Sequence, residues 1–105
     1  MIRFGLLLVL PAVLLTQALA QDDAARGQAI VERLCAGCHA VGADGDSPLD
    51  AAPPFRILGQ RFAIADLEEA LAEGIVTAHP DMPEFVFEPD DVGAIIAYLE
   101  SVQVP

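Results

Sequence analysis

The sequence predicts an all-α protein, and three observations carry that prediction. Gly27, Ile30, Val31 and Leu34 recur at i, i+3, i+4, i+7, as do Val92, Ile95, Ile96 and Leu99, each set the stripe of one helix face. Proline collects between such stretches, at Pro48, Pro53, Pro54, Pro80 and Pro83. No segment alternates apolar and polar residues as a half-buried strand does.

The 105-residue chain opens MIRFG, with one positive charge at Arg3, continues LLLVLPAVLLT and reaches the small-residue pattern Ala18-Leu19-Ala20. Those parts in that order describe a secretory signal peptide over residues 1–20, cleaved after Ala20 and leaving one domain over residues 21–105. The domain is thereby expected in the periplasm. The alternative is a membrane tether through an uncleaved signal anchor. Phe4 to Ala20 is 17 residues, the short end for crossing hydrocarbon, and Pro11 interrupts it.

A first helix is expected from Asp22 or Asp23, either of which can cap it, to Leu34. Residues 42–60, with three prolines and clustered glycine and alanine, read as a long irregular connection. A second helix covers about 65 to 73: Asp66 and Glu69 resemble a capping box, Leu67, Ala70 and Leu71 form its stripe, and Gly74 stops it. A second loop carries Met82 between Pro80 and Pro83. The last helix begins near Pro89, with Asp90 and Asp91 in its dipole-favoured first turn.

Charge narrows the function. With Arg3 set aside, four arginines face 16 carboxylates, a formal charge of −12 with no lysine anywhere. A nucleic-acid partner is excluded on sign. Without its leader the chain is 85 residues, short enough to need a staple or a cofactor to complete its core.

Both cysteines stand in LCAGCHAV, residues 34–41. A disulfide between Cys35 and Cys38 would close only a tiny loop. Zinc needs four ligands, and the spacing of Cys35, Cys38, His39 and His79 matches no finger or ribbon. A thioredoxin-like pair needs a strand before it, and here a helix precedes it. The remaining reading is C-x-x-C-H as a covalent haem site. Residues three apart share a helix face, about 5–6 Å between β-carbons, so two thiols can reach two vinyl groups on one porphyrin edge. His39 can then offer an imidazole nitrogen to iron. The only methionine beyond the leader, Met82, is the favoured second axial ligand, with His79 its competitor. A His/Met pair raises the reduction potential and leaves no open iron position.

With CAGCH at 35–39, APPF at 52–55, HPDMP at 79–83 and DVGAIIAYLESV at 91–102, the chain resembles the small class I c-type cytochromes of bacterial exported compartments. The resemblance spans nearly all of residues 21–105. It implies a cytochrome c-like fold of three to four short helices and long loops wrapped around one haem c. It also implies that the first and last helices cross at Gly27, opposite Tyr98 or Leu99. A prolyl carbonyl from Pro48, Pro53 or Pro54 would orient His39, with Pro53 or Pro54 preferred. Phe55 and Leu58, with Ile57, Phe62 and Leu71, would line the haem. Arg56 and Arg61 are surface residues or partners of the propionates.

The activity so implied is single-electron transfer between redox proteins, with no substrate and no catalysis of its own. The alternative is a haem c subunit of a larger periplasmic oxidoreductase, and partner complexes in the membrane fit either reading. Members of the family that dock through a ring of lysines present a basic face; this chain, with no lysine, calls for partners with a basic or apolar patch. A haem enzyme or gas sensor would need an open iron position, against which Met82 stands.

Overall fold

The computed structural model describes the backbone of residues 4–74 and 81–105, and their side chains from Leu14 onward apart from Ala20 and Gln21. Helix α1 runs Phe4–Leu34, α2 Leu67–Glu73 and α3 Pro89–Val102, with 3₁₀ turns at Phe55–Gln60 and Ile64–Asp66. No strand occurs among the described residues. The fold is all-α, as the periodicity predicts.

α1 does not start at Asp22 or Asp23. Both lie inside a helix of 31 residues, and neither caps it. From Ala12 to Arg26 the sequence has no proline or glycine, so a helix begun upstream propagates through Asp22 without a new nucleation step. At about 1.5 Å per residue α1 is roughly 46 Å long. It accounts for the 65 × 28 × 23 Å extents of the molecule. Leu14, Leu15 and Leu19 on its first half are about 60% exposed.

The second half of α1 packs across α3, and Gly27 makes the crossing possible. A β-carbon on Gly27 would collide with the backbone carbonyl oxygen of Ala94 and lie 2.8 Å from Cβ of Tyr98. A backbone carbonyl cannot swing aside, so only glycine permits this approach. Of Tyr98 and Leu99, which the resemblance puts opposite Gly27, Tyr98 is among the nearest contacts, and the backbone of Ala94 is nearer still. Ile30, Val31, Val92, Ala94, Ile95, Tyr98 and Leu99 are buried around the crossing. Burying a side chain of leucine or isoleucine size contributes about 1.5–3 kcal/mol, so this seam is a large part of what holds the fold. The expected stripe of α1 ends at Val31, because Leu34 is 37% exposed in its last turn and Cys35 packs against the core in its place. Arg26 and Asp91 pair across the helices at 2.8 Å, both well exposed, a contribution of about 0.2–1 kcal/mol.

Phe55, Leu58, Ile64 and Leu71 close the core from the other side. The expected irregular connection thus ends early, and 55–60 forms a 3₁₀ turn that buries Phe55 and Leu58. Asp66 makes no side-chain cap to α2. The Ile64–Asp66 turn already has Asp66 in helical conformation (φ −68°, ψ −15°), so its side chain is not placed to cap. Gly74 ends α2 as expected, at φ 113°, where a β-carbon would be strained and would also meet the Glu84 carboxylate. α3 begins at Pro89 with Asp90 and Asp91 in its first turn, also as expected.

Candidate haem-binding site

α1 delivers the cysteines. Cys35 N–H still bonds Val31 O at 2.8 Å, so Cys35 continues the helical register beyond the last assigned residue. The N–H groups of Cys38 and His39 then both donate to Cys35 O, at 3.2 and 2.9 Å, folding 35–39 into one compact turn. Both thiols are free and half-buried. Cys35 packs on the core, and that burial pushes its thiol up to about 11. Among the described residues no group of three or more Cys, His, Asp or Glu is arranged to hold a bare metal ion; His79, which the zinc reading would need, lies outside them.

His39 is held on two sides. Its Nδ1 lies 2.8 Å from Pro53 O, and its ring stands 4.8 Å from that of Phe55, tilted by 39°. A carbonyl oxygen only accepts, so Nδ1 carries the proton and Nε2 keeps its lone pair. That is the tautomer a metal-bound imidazole with an orienting carbonyl adopts. Of the three prolines weighed for this role, the contact belongs to Pro53.

The connection that brings Pro53 to His39 is tied down through its backbone. Leu49 N–H donates to Cys38 O at 3.1 Å and Phe55 N–H to Ala40 O at 2.9 Å. Ser47 Oγ accepts from Ala40 N–H at 2.9 Å. Arg56 donates to Gly45 O at 2.7 Å. Tyr98 reaches from α3 to donate its hydroxyl to Val41 O at 2.7 Å. Burial first, and the Glu32 carboxylate second, raise the Tyr98 hydroxyl above its ordinary range and keep that donor protonated.

Cys35, Cys38, His39 and Phe55 are therefore brought together, with Leu58 one 3₁₀ turn further along the same segment. Leu71 is buried, Ile57 is half-buried, and Phe62 is 38% exposed. Arg61 is exposed. Met82 is half-buried in the bend at the start of 81–88. His79 lies outside the described residues. Ser47 and Gln103 carry parts of this framework that no motif announces, since each acts through one side-chain polar group on backbone outside its own element, Gln103 across more than 40 positions. Ala94 could have been suspected, because it precedes Tyr98 by one helical turn and faces the same way.

The residues fit a covalently held haem. Two unbridged thiols one turn apart and an imidazole with a free Nε2 form one donor set, and aromatic and aliphatic groups stand behind it.

Residues 22–99 match the protein family described as cytochrome c oxidase, cbb3-type, subunit III. The chain is 32% identical to cytochrome c-552 of Bradyrhizobium diazoefficiens over 100 residues, covering 94% of this chain and 93% of that protein. It is 37% identical over 92 residues to cytochrome c oxidase subunit 2 of Alkalihalophilus pseudofirmus, covering 73% of this chain and 25% of that protein. The chain thus spans about a quarter of the length of this second relative. No solved structure matches the chain. With a family match across most of its length and a relative of equal span, the chain belongs to the small c-type cytochromes, haem c electron-transfer proteins of cytochrome c-like fold.

Proposed function

We propose that the protein is an exported monohaem cytochrome that carries single electrons between redox partners. The observation that carries this reading is the His39 Nδ1–H···O=C Pro53 bond at 2.8 Å, which aims a free Nε2 from a turn that also presents both thiols. Cys35 and Cys38 would hold one haem through thioether bonds, His39 would be one axial ligand and Met82 the other. Bound here, haem c supplies a one-electron Fe(III)/Fe(II) couple. Pro53 and Phe55 orient the imidazole, the 42–54 connection keeps Pro53 in place, and Phe55 and Leu58 exclude water from behind it. Met82, on a segment bracketed by prolines, would complete the coordination without an open position.

Export is supported by the first 20 residues. The leucines described there, Leu14, Leu15 and Leu19, are exposed, as expected of a segment that is removed or enters lipid. No helix among the described residues is long and apolar enough to cross a membrane. Partners would present basic or apolar docking patches to this lysine-free, acidic surface.

Two measurements test the reading. Protein made with the haem-attachment machinery should keep its colour through acid–acetone extraction, and colour lost to the solvent would overturn covalent attachment. The ferric protein should show a weak far-red charge-transfer band that Met82→Ala removes while lowering the potential. A band indifferent to Met82 would pass the role to His79.

A second reading, a haem subunit within a larger oxidoreductase, is favoured by the two oxidase-subunit descriptions among the relatives. A carrier elutes as a monomer on gel filtration of a native extract; a subunit co-elutes with a membrane complex.

A further inference from the structure

The two groups that hold the His39 ring, Pro53 O and the Phe55 side chain, sit at the start of the Phe55–Gln60 turn. Besides the burial of Phe55 and Leu58, that turn is held to α3 by the side-chain amide of Gln103, just past the end of the helix. Its Nε2 donates to Phe55 O and to Leu99 O, both at 2.7 Å. Its Oε1 accepts from Gly59 N–H at 2.6 Å. The next residue, Val104, donates its N–H to Arg56 O at 2.9 Å. One amide thus joins both ends of the 3₁₀ turn to the last turn of α3, satisfying the carbonyl that Leu99 would otherwise leave open.

Only a primary amide of this length meets the demand, which is two donors and one acceptor. A glutamate would place a carboxylate against two carbonyl oxygens; a leucine would leave all three groups unpaired. Gly59 is matched to it, since a β-carbon there would come within 2.9 Å of Gln103 Oε1. That neighbour is the tip of a flexible side chain, so a methyl at 59 would displace the amide and leave the backbone in place.

We propose that Gln103 is a positioning residue for the haem iron: through Phe55 and Pro53 it fixes the orientation of His39 and the strength of the Nδ1–H···O bond. The inference rests on the reading of His39 as an axial ligand. A stronger Nδ1–H···O bond makes the imidazole a more basic ligand and favours ferric iron, so loosening it should raise the potential.

The test uses the holoprotein as wild type, Gln103→Leu and Gly59→Ala, with Ser101→Ala as control. Ser101 donates its hydroxyl to Tyr98 O at 2.6 Å, a bond within α3 at the same end of the helix. The readouts are the hyperfine-shifted His39 ring protons of the ferric protein, hydrogen exchange at Nδ1–H, and the midpoint potential. Both test variants should shift the ring protons, speed exchange by about tenfold, the factor that roughly one lost hydrogen bond of local stability gives, and raise the potential. Ser101→Ala should leave all three as in wild type. Ring protons, exchange and potential unchanged in Gln103→Leu would overturn the positioning role while leaving the ligation reading intact. A wild-type protein with no hyperfine-shifted His39 protons would remove the ligation reading, and the positioning role with it.

Discussion

At the scale of single residues, the site is defined by protons and solvation. His39 must have its proton on Nδ1, because Pro53 O can only accept it. Cys35 and Cys38 are chemically unequal although only three positions apart, because Cys35 packs on the core. In protein made without haem attachment, burial should protect Cys35 from alkylation at neutral pH, with reactivity appearing only as the pH approaches about 11. The same shift sets the sign for stability. The folded thiol holds its proton to higher pH than the unfolded one, so its contribution is complete below the ordinary value of 9.0 and is lost as pH rises toward about 11. Mass spectrometry after timed iodoacetamide pulses checks this, and rapid labelling of Cys35 at pH 7 would show the thiol to be solvated. CAGCH stood out in the sequence because attachment chemistry restricts the choice of residue type and spacing, whereas Met82 as second ligand rests on its being the one methionine beyond the leader and belongs to the proposal. Pro53 was legible only as one of three, because any of those prolines carries the same carbonyl. Gln103 was invisible, since a glutamine after a helix reads as ordinary surface.

At the scale of elements, two glycines in helices give opposite expectations. Gly27 sits where its β-carbon would strike Ala94 O; Gly93 in α3 is exposed, with nothing within 4 Å of such a carbon. On helix propensity alone, glycine to alanine gains up to about 1 kcal/mol. Gly93→Ala should therefore stabilise. Gly27→Ala should instead cost about 1–3 kcal/mol or more, because overpacking against backbone outweighs propensity. Denaturant midpoints decide it, and a stabilised Gly27→Ala would place the crossing elsewhere. The stripe of α3 was readable because a 3.6-residue period reports directly on a buried face. The start of α1 was not: Asp22 and Asp23 carry a capping signal, but propagation from an existing helix overrides it. The Phe55–Gln60 turn was also hidden, since short 3₁₀ turns have no apolar period of their own.

At the scale of the whole molecule, a formal charge of −11 with no lysine sets a field that favours cationic partners. The rate of electron exchange with a basic redox protein should fall by about tenfold or more from low to high salt, as screening removes the steering. Stopped-flow traces across an ionic-strength series measure it, and a rate that rises with salt would point to an acidic partner. The helix crossing has a further consequence, one of timing. The core is assembled from the two ends of the chain: Gly27 meets Ala94 and Tyr98, and Arg26 meets Asp91, 65 positions away. Contacts so distant in sequence form late, after the intervening chain has been closed into a loop. Until the 14 residues of α3 have been synthesised, the Ile30 and Val31 face beside Cys35 lacks its largest partner. The face beside Cys35 is therefore open longest in a newly made chain, and the arrival of the last helix is what closes it.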